Sequence, residues 1–280
     1  PAKIPVVFVH GINSDPHIWG AAMNTIAGDP ELRKRYQCWY YLYPTGNTIQ
    51  GAAAGLRRSL RQAPDSYEPK HESAGMDQMV LVGHSMGGLL SRMQVIDSGP
   101  DFYRAFFTVP PEQLPFSEEN LKLIKSTLEF EHQPFVKRVV FICVPHRGSS
   151  VVDLSIMRNL TRLIQPTVII RGLLNEMTGV ARFAINPALY RFRNLGTRST
   201  ENLSPYNPLL PAMSSRPILA PFHNIIAVFS PLSRKKALHA TTDGAVPYSS
   251  AWLPGAESTK VGGGFHTCTE YPAVCDEVAR

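Results

Sequence analysis

The sequence of 280 residues lacks long apolar runs and has few charged residues. A membrane-spanning helix needs about 18 or more consecutive apolar residues. No such run occurs, so we predict that no segment spans a membrane. Charged residues make up 18% and hydrophobic residues 44%, a balance that is typical of a globular chain rather than a disordered one. The length is sufficient for one large domain with a sizeable core.

An initial methionine and a recognisable signal peptide are also missing, since the chain begins at Pro1. We therefore expect a processed or trimmed product from which a targeting segment has been removed. An exported protein (periplasmic, membrane-associated or secreted) is then favoured over a cytoplasmic one.

Cysteine is scarce, with four in the whole chain. Cys38 and Cys143 fall in predicted strands, so we expect inert core thiols. Cys268 and Cys275 would be too far apart to bridge on a continuous helix. Because Pro272 could break that helix, a disulfide between them stays open, and the cysteines do not decide the compartment.

Basic residues exceed acidic ones, which gives a net charge of +6. They form short clusters at 33–35, 57–58 and 234–236, each of which we interpret as a solvated face. Nucleic-acid binding is not predicted, because aromatic residues are not interleaved with the basic ones and no known module is present. Peripheral contact with a membrane remains open.

The most informative stretch is Gly-His-Ser-Met-Gly at 83–87. An aliphatic run at 79–82 precedes it and predicts a buried strand, and residues 89–96 continue at helical spacing. A sharp strand–turn–helix connection exposes its central side chain, here Ser85, at the N-terminus of a helix. The alternative is a loop serine between two flexible glycines, but the flanking strand and helix favour a nucleophile.

Strands and helices alternate along much of the chain. We predict strands at 4–9, 37–42, 79–82, 135–144, 223–230 and 258–262, and helices at 15–27, from Thr48 to a polar loop at 64–75, at 89–96, at 117–128 and near the C-terminus. This order predicts the α/β class, with a mostly parallel sheet of about six strands flanked by helices. Active sites in such sheets lie beyond the C-terminal strand ends.

We treat residues 1–280 as one domain whose core comprises 1–97, 135–150 and 222–280. The remaining segments, 98–134 and 151–221, are interpreted as insertions. The second is rich in apolar helical stripes and would act as a cap. Those apolar faces could bind an acyl chain or could simply pack on the core.

Five motifs along the chain resemble the α/β-hydrolase superfamily, specifically its lipase and carboxylesterase branch. They are Val-His-Gly at 9–11, Gly-His-Ser-Met-Gly-Gly at 83–88, Pro-His-Arg-Gly-Ser at 145–149, Asp-Gly-Ala-Val-Pro at 243–247 and Gly-Phe-His at 264–266. The resemblance is weak across both insertions, which set substrate choice. It implies the α/β-hydrolase fold without the first antiparallel strands of larger members.

The resemblance also implies a catalytic triad, with Ser85 as nucleophile and Asp243 as acid. The alternative for Asp243 is an ordinary Asp-Gly turn. His266 is the only histidine after Asp243, so it would be the base by elimination. The backbone N–H groups of Ile12 and Met86 would form the oxyanion hole.

Three other histidines are rivals for a catalytic role. We expect His10 to be a core residue that positions its loop and His146 to be structural. His239 precedes the candidate acid, against the chain order of this fold, so we treat it as a surface or loop residue.

The function that follows is cleavage of carboxylic esters through an acyl-enzyme on Ser85. The substrate would be a small-molecule or lipid ester, and neither a metal nor an organic cofactor is implied. Thioesterase and lipid deacylase share this machinery and remain open, as does a non-catalytic protein of the same fold that binds lipids or other ligands. Acyl-chain length and oligomeric state are left undetermined.

Overall fold

The computed structural model describes residues 3–67, 74–149, 182–191, 199–229 and 238–280, together with Glu176. Their strands form one six-stranded sheet in the order β2-β1-β3-β4-β5-β6, and every neighbouring pair is parallel. The strands are β1 (Ile4–Val9), β2 (Tyr36–Tyr41), β3 (Met79–His84), β4 (Val136–Ile142), β5 (Phe222–Val228) and β6 (Ser258–Gly263). The predicted parallel sheet and its six strands are confirmed.

Helices connect and cover the strands. They are α1 (Gly20–Gly28), α2 (Pro30–Arg35), α3 (Ile49–Tyr67), α4 (Met86–Arg92), α5 (Gly99–Arg104), α6 (Glu118–Leu128), α7 (Ser199–Asn202), α8 (Leu209–Ser214), α9 (Tyr248–Ala251) and α10 (Pro272–Ala279). Short 3-10 turns are found at Pro16–Trp19, Met76–Gln78, Pro111–Gln113, Arg182–Ala184, Pro187–Arg191, Leu238–Ala240 and Cys268–Glu270. Within the described part of the chain, no helix combines the length and the apolar character that crossing a membrane requires.

The four central strands of the sheet, β1, β3, β4 and β5, are largely buried, whereas the edge strands β2 and β6 are partly exposed. Alternate residues of β1 belong to different core clusters, with Val7 and Val9 on one side and Val6 and Phe8 on the other. Helices α3, α4 and α6 contribute to the first cluster, and α1 and α10 to the second. A parallel sheet covered in this way explains why its central strands are continuous apolar runs.

Helix α3 begins as the sequence predicts, because the Thr48 hydroxyl accepts a hydrogen bond from the N–H of Gly51 at 3.1 Å. The predicted end was wrong, since the helix continues through Pro64 to Tyr67. Proline lacks the N–H that would bond to the carbonyl four residues earlier, and its ring crowds that carbonyl. So close to the C-terminus of α3, that loss does not end the helix.

Arg57 contradicts the prediction of a solvated basic face at 57–58. Its side chain is buried, whereas Arg58 is exposed. The guanidinium lies 4.0 Å from the ring centroid of Phe130, and its Nη2 donates to the carbonyl of Met93 at 3.5 Å. Burial, followed by the charges of Arg61 and Arg58, lowers the pKa of Arg57 to about 10.

Two other predicted helices have different bounds. The region predicted as a helix at 15–27 is a 3-10 turn followed by α1, because Asp15 caps the turn by accepting from the N–H of His17 at 2.8 Å. The helix predicted at 89–96 starts earlier and ends earlier, as α4.

The apolar stripes predicted between 151 and 175 lie outside the described residues, so the cap and the domain division stay predictions.

Candidate active site

Ser85 lies at the connection between β3 and α4 in a left-handed conformation, with φ 52° and ψ −126°. The two neighbouring glycines are required by space as much as by flexibility. A Cβ at Gly87 would lie 2.2 Å from the carbonyl oxygen of Val9, and one at Gly83 would lie 2.5 Å from the Cα of Gly88. These contacts are far below ordinary van der Waals distances, so the turn excludes larger residues and fixes the direction of the Ser85 side chain.

His266 follows β6 on the glycine-rich loop, and its side chain reaches Ser85. The Ser85 hydroxyl lies 2.8 Å from His266 Nε2, in position to donate a hydrogen bond to it. The backbone N–H of His266 donates to the carbonyl of Asp243 at 2.8 Å. That backbone bond ties the loop after β6 to the loop after β5, which carries the candidate acid.

Asp243 is buried, with 2% of its surface exposed. One carboxylate oxygen accepts from His266 Nδ1 at 2.7 Å, and the other accepts from the N–H groups of Ala245 and Val246 at 2.9 and 2.7 Å. Burial raises the pKa of this carboxyl. The hydrogen bond and charge of His266 and the two backbone donors together outweigh it, so the pKa lies below its ordinary value. The side chain is therefore an ionised acceptor for His266.

The candidate oxyanion donors flank Ser85 on two elements. Met86 is the first residue of α4, where N–H groups have no partner within the helix. Ile12 lies in the loop after β1 and lines the same cleft as Ser85. That loop packs tightly on the nucleophile, because a Cβ at Gly11 would lie 2.9 Å from the Cβ of Ser85. The role of both N–H groups stays a prediction.

His84 contacts the base, which the sequence did not reveal. Its Nε2–H donates to the carbonyl oxygen of His266 at 2.8 Å, and the two rings lie 4.8 Å apart. Burial, followed by repulsion from the charge of His266, lowers the pKa of His84 to about 3. The His84 ring is therefore neutral and carries its proton on Nε2. The only indication of this contact in the sequence was the position of His84 directly before Ser85, because its partner His266 lies 182 positions away.

The three rival histidines form no hydrogen bond with Ser85, Asp243 or His266 within the described residues. His10 is buried and stacks on Tyr43 at 4.6 Å. His146 is also buried, with its edge against the ring of Phe141. His239 is exposed on a 3-10 turn. His10 thus lies in the core and His239 at the surface, as expected, while the structural roles of His10 and His146 stay predictions.

None of the four cysteines forms a disulfide, and Cys143 makes a non-covalent contact that the sequence did not suggest. Its Sγ lies 3.5 Å from the Sγ of Cys268. This contact and burial raise the pKa of Cys143 well above its ordinary value. Cys275 instead donates to the carbonyl of Thr269 at 3.4 Å. The Cys268–Cys275 disulfide that the sequence left open is therefore absent.

Ser85 and His266 open into a cleft of about 330 Å³. The lining is largely apolar near the nucleophile, with side chains from the segments after β1, β4, α7 and β5: Ile12, Ile18, Pro145, Leu203 and Val246. An apolar wall beside a hydroxyl nucleophile is suited to a substrate with a hydrocarbon portion.

Comparison with known proteins establishes the fold. No protein-family model and no curated protein sequence matches the chain. Among solved structures, the mature lipase BlEst2 of Bacillus licheniformis superposes with a TM-score of 0.52 at 19% identity, covering 99% of this chain and 91% of that one. EstA from Clostridium botulinum gives 0.53 at 13% identity, covering 99% and 86%. Lipase 1 from Pelosinus fermentans gives 0.52 at 11% identity, covering 100% and 99%. With its parallel sheet and flanking helices, the chain has the α/β-hydrolase fold.

Proposed function

We propose that this chain of the α/β-hydrolase fold is a serine hydrolase that cleaves carboxylic esters. The observation that carries the proposal is the unbroken hydrogen-bond chain from Ser85 through His266 to Asp243, at 2.8 and 2.7 Å. Structural neighbours named as lipases support an ester as the substrate class.

The reaction follows from the protonation states in this chain. His266 Nε2 accepts the proton of Ser85 as the hydroxyl attacks the ester carbonyl, and the ionised Asp243 stabilises the imidazolium that forms. His266 then donates that proton to the leaving alcohol, which leaves an acyl group on Ser85. Water, activated by the same base, releases the acid and restores the enzyme.

The tetrahedral intermediate carries a negative charge on the former carbonyl oxygen. We propose that the N–H groups of Met86 and Ile12 donate to it. Each such donor typically contributes about 3–4 kcal/mol to transition-state stabilisation.

The size of the cleft suggests which esters fit. Its volume of about 330 Å³ is near the lower end of the roughly 300–1,000 Å³ that ligand pockets span. We therefore expect a preference for short acyl chains over long ones.

Hydrolysis of a p-nitrophenyl ester series from acetate to palmitate tests the proposal. The wild type should be active, with its highest kcat/KM at the short end, and Ser85→Ala should be inactive. Ser126→Ala is a matched control, because this serine is exposed and, among the described residues, its hydroxyl donates only to the carbonyl of Leu123 in its own helix. Full activity of Ser85→Ala, or no turnover by the wild type on any ester, would contradict the proposal.

A further inference from the structure

Ester hydrolysis does not use the Cys143 thiol, which lies next to the acid and the base, or the Cys268 thiol, which contacts Cys143. Cys143 follows β4 directly and has a left-handed backbone, with φ 50°. Its Sγ accepts from the N–H of Ala227 at 3.3 Å, which fixes its direction. Cys268 lies two residues after His266 on the same loop. Both thiols are 1% exposed.

The spacing of these groups fits a metal ion better than a disulfide. The sulfur atoms of Cys143 and Cys268 are 3.5 Å apart, whereas a disulfide requires about 2.05 Å. Two thiolates on a tetrahedral zinc ion, each with a bond of about 2.3 Å, are separated by about 3.8 Å. The distance between the two sulfur atoms is therefore close to the distance expected for two thiolates bound to one zinc ion.

The same thiol also belongs to a group of mixed ligands. The Sγ of Cys143, a carboxylate oxygen of Asp243 and a ring nitrogen of His266 all lie within 4.8 Å of one another. Sulfur, nitrogen and oxygen ligands on tetrahedral zinc are separated by about 3.3–3.8 Å. To surround one ion, each distance between two of these ligand atoms thus needs to shorten by at most about 1.5 Å.

We propose that a divalent cation that favours sulfur ligands, such as Zn²⁺, binds reversibly to Cys143, Asp243 and His266. The sulfur of Cys268 lies beside this group, in contact with the sulfur of Cys143. On binding, the Cys143 thiol releases its proton to solvent and a metal–sulfur bond forms, with no change in oxidation state. The proposed site borders solvent on the side of the base, because the His266 side chain lines the cleft and is 22% exposed.

Occupation of this site is incompatible with the proposed catalysis. If the cation takes Nδ1 of His266, the proton on that nitrogen moves to Nε2, which can then no longer accept from the Ser85 hydroxyl, and the bond from Nδ1 to Asp243 is lost. If it takes Nε2, the lone pair that faces the Ser85 hydroxyl is occupied. In either case Ser85 loses its base, so the site is inhibitory. The inhibition rests on the proposed function, whereas the binding does not.

Binding is tested separately from activity, in Ser85→Ala protein stripped of metal and titrated with Cd²⁺. We expect one Cd²⁺ per chain and an ultraviolet charge-transfer band from sulfur to cadmium. Adding Cys143→Ser should weaken binding at least tenfold and remove most of the band. Cys275→Ser is the matched control, because this buried thiol lies outside the ligand group and should leave both unchanged. No band in the parent protein, or an unchanged affinity with Cys143→Ser, would overturn the site.

A measurement that does not need Cys143→Ser guards against misfolding of that variant. X-ray absorption of the Zn²⁺-loaded Ser85→Ala protein should give at least one sulfur together with nitrogen or oxygen ligands, and a shell of nitrogen and oxygen alone would refute the proposal. In the wild type, Zn²⁺ should inhibit ester hydrolysis and a chelator should restore it. Cadmium binding without any ester turnover would leave the metal site standing and would refute only the proposed function.

Discussion

Replacing Asp243 by asparagine should abolish most of the activity while preserving the fold. One carboxylate oxygen accepts from the N–H groups of Ala245 and Val246, and only an oxygen can do so. In Asp243→Asn the carboxamide oxygen must therefore stay on those donors, and its NH₂ group must face His266. The NH₂ donates to Nδ1, so the proton of the ring moves to Nε2, which can no longer accept from Ser85.

The change of tautomer determines how large a loss of kcat we expect. An aspartate-to-asparagine exchange in such a triad lowers kcat about 10⁴-fold, which corresponds to about 5.4 kcal/mol at about 1.36 kcal/mol per factor of ten. The assay is kcat on the best p-nitrophenyl ester, with urea unfolding to verify that the variant is folded.

Asp97→Asn provides the control. Asp97 also accepts from a histidine Nδ1, that of His132, at 2.8 Å, but it does not line the cleft. Its replacement should leave kcat within about twofold. If folded Asp243→Asn keeps more than a tenth of the wild-type kcat, the tautomer argument is refuted.

Three further changes test other parts of the structure. Gly87→Ala forces a Cβ against backbone oxygen, so urea unfolding should give a loss of about 1–3 kcal/mol, whereas Gly262→Ala, where a Cβ meets nothing within 4 Å, should cost far less. His84→Ala removes the donor to the His266 carbonyl, at a cost of about 1–3 kcal/mol. Steady-state kinetics should show kcat lowered about tenfold or more with little change in KM, and an unchanged kcat would exclude a positioning role. Arg57→Met replaces a buried cation that has no carboxylate partner within the described residues. Its free energy of unfolding, measured in urea, should be unchanged or higher by up to about 4 kcal/mol, and a large loss would mean that the charge is needed.

Local chemistry explains what could be predicted from the sequence. The elbow at Ser85 needs small neighbours and a strand–helix context within a few residues, and all of these can be read along the chain. The parallel sheet follows from alternating apolar runs and amphipathic helices in the same way. Asp243 and His266 came from motif resemblance and chain order, and the structure places His266 against Ser85 and Asp243 against His266.

The features that were missed depend on distant partners. Arg57 is buried because Phe130 lies over it, 73 positions later in the chain. The contact between Cys143 and Cys268 spans 125 positions, and nothing in either local sequence indicates the other. The end of α3 was missed for another reason, because Pro64 falls in the final turn, where a helix tolerates the loss of one hydrogen bond.

The most direct test of the account is the position at which a fluorophosphonate reacts. This probe forms a covalent bond with a nucleophile that an adjacent base activates. Mass spectrometry of the labelled wild type should find one adduct per chain, on the peptide that contains Ser85, and His266→Ala should label far more slowly. An adduct on another residue, or no adduct in folded protein, would contradict the assignment of Ser85 as the nucleophile.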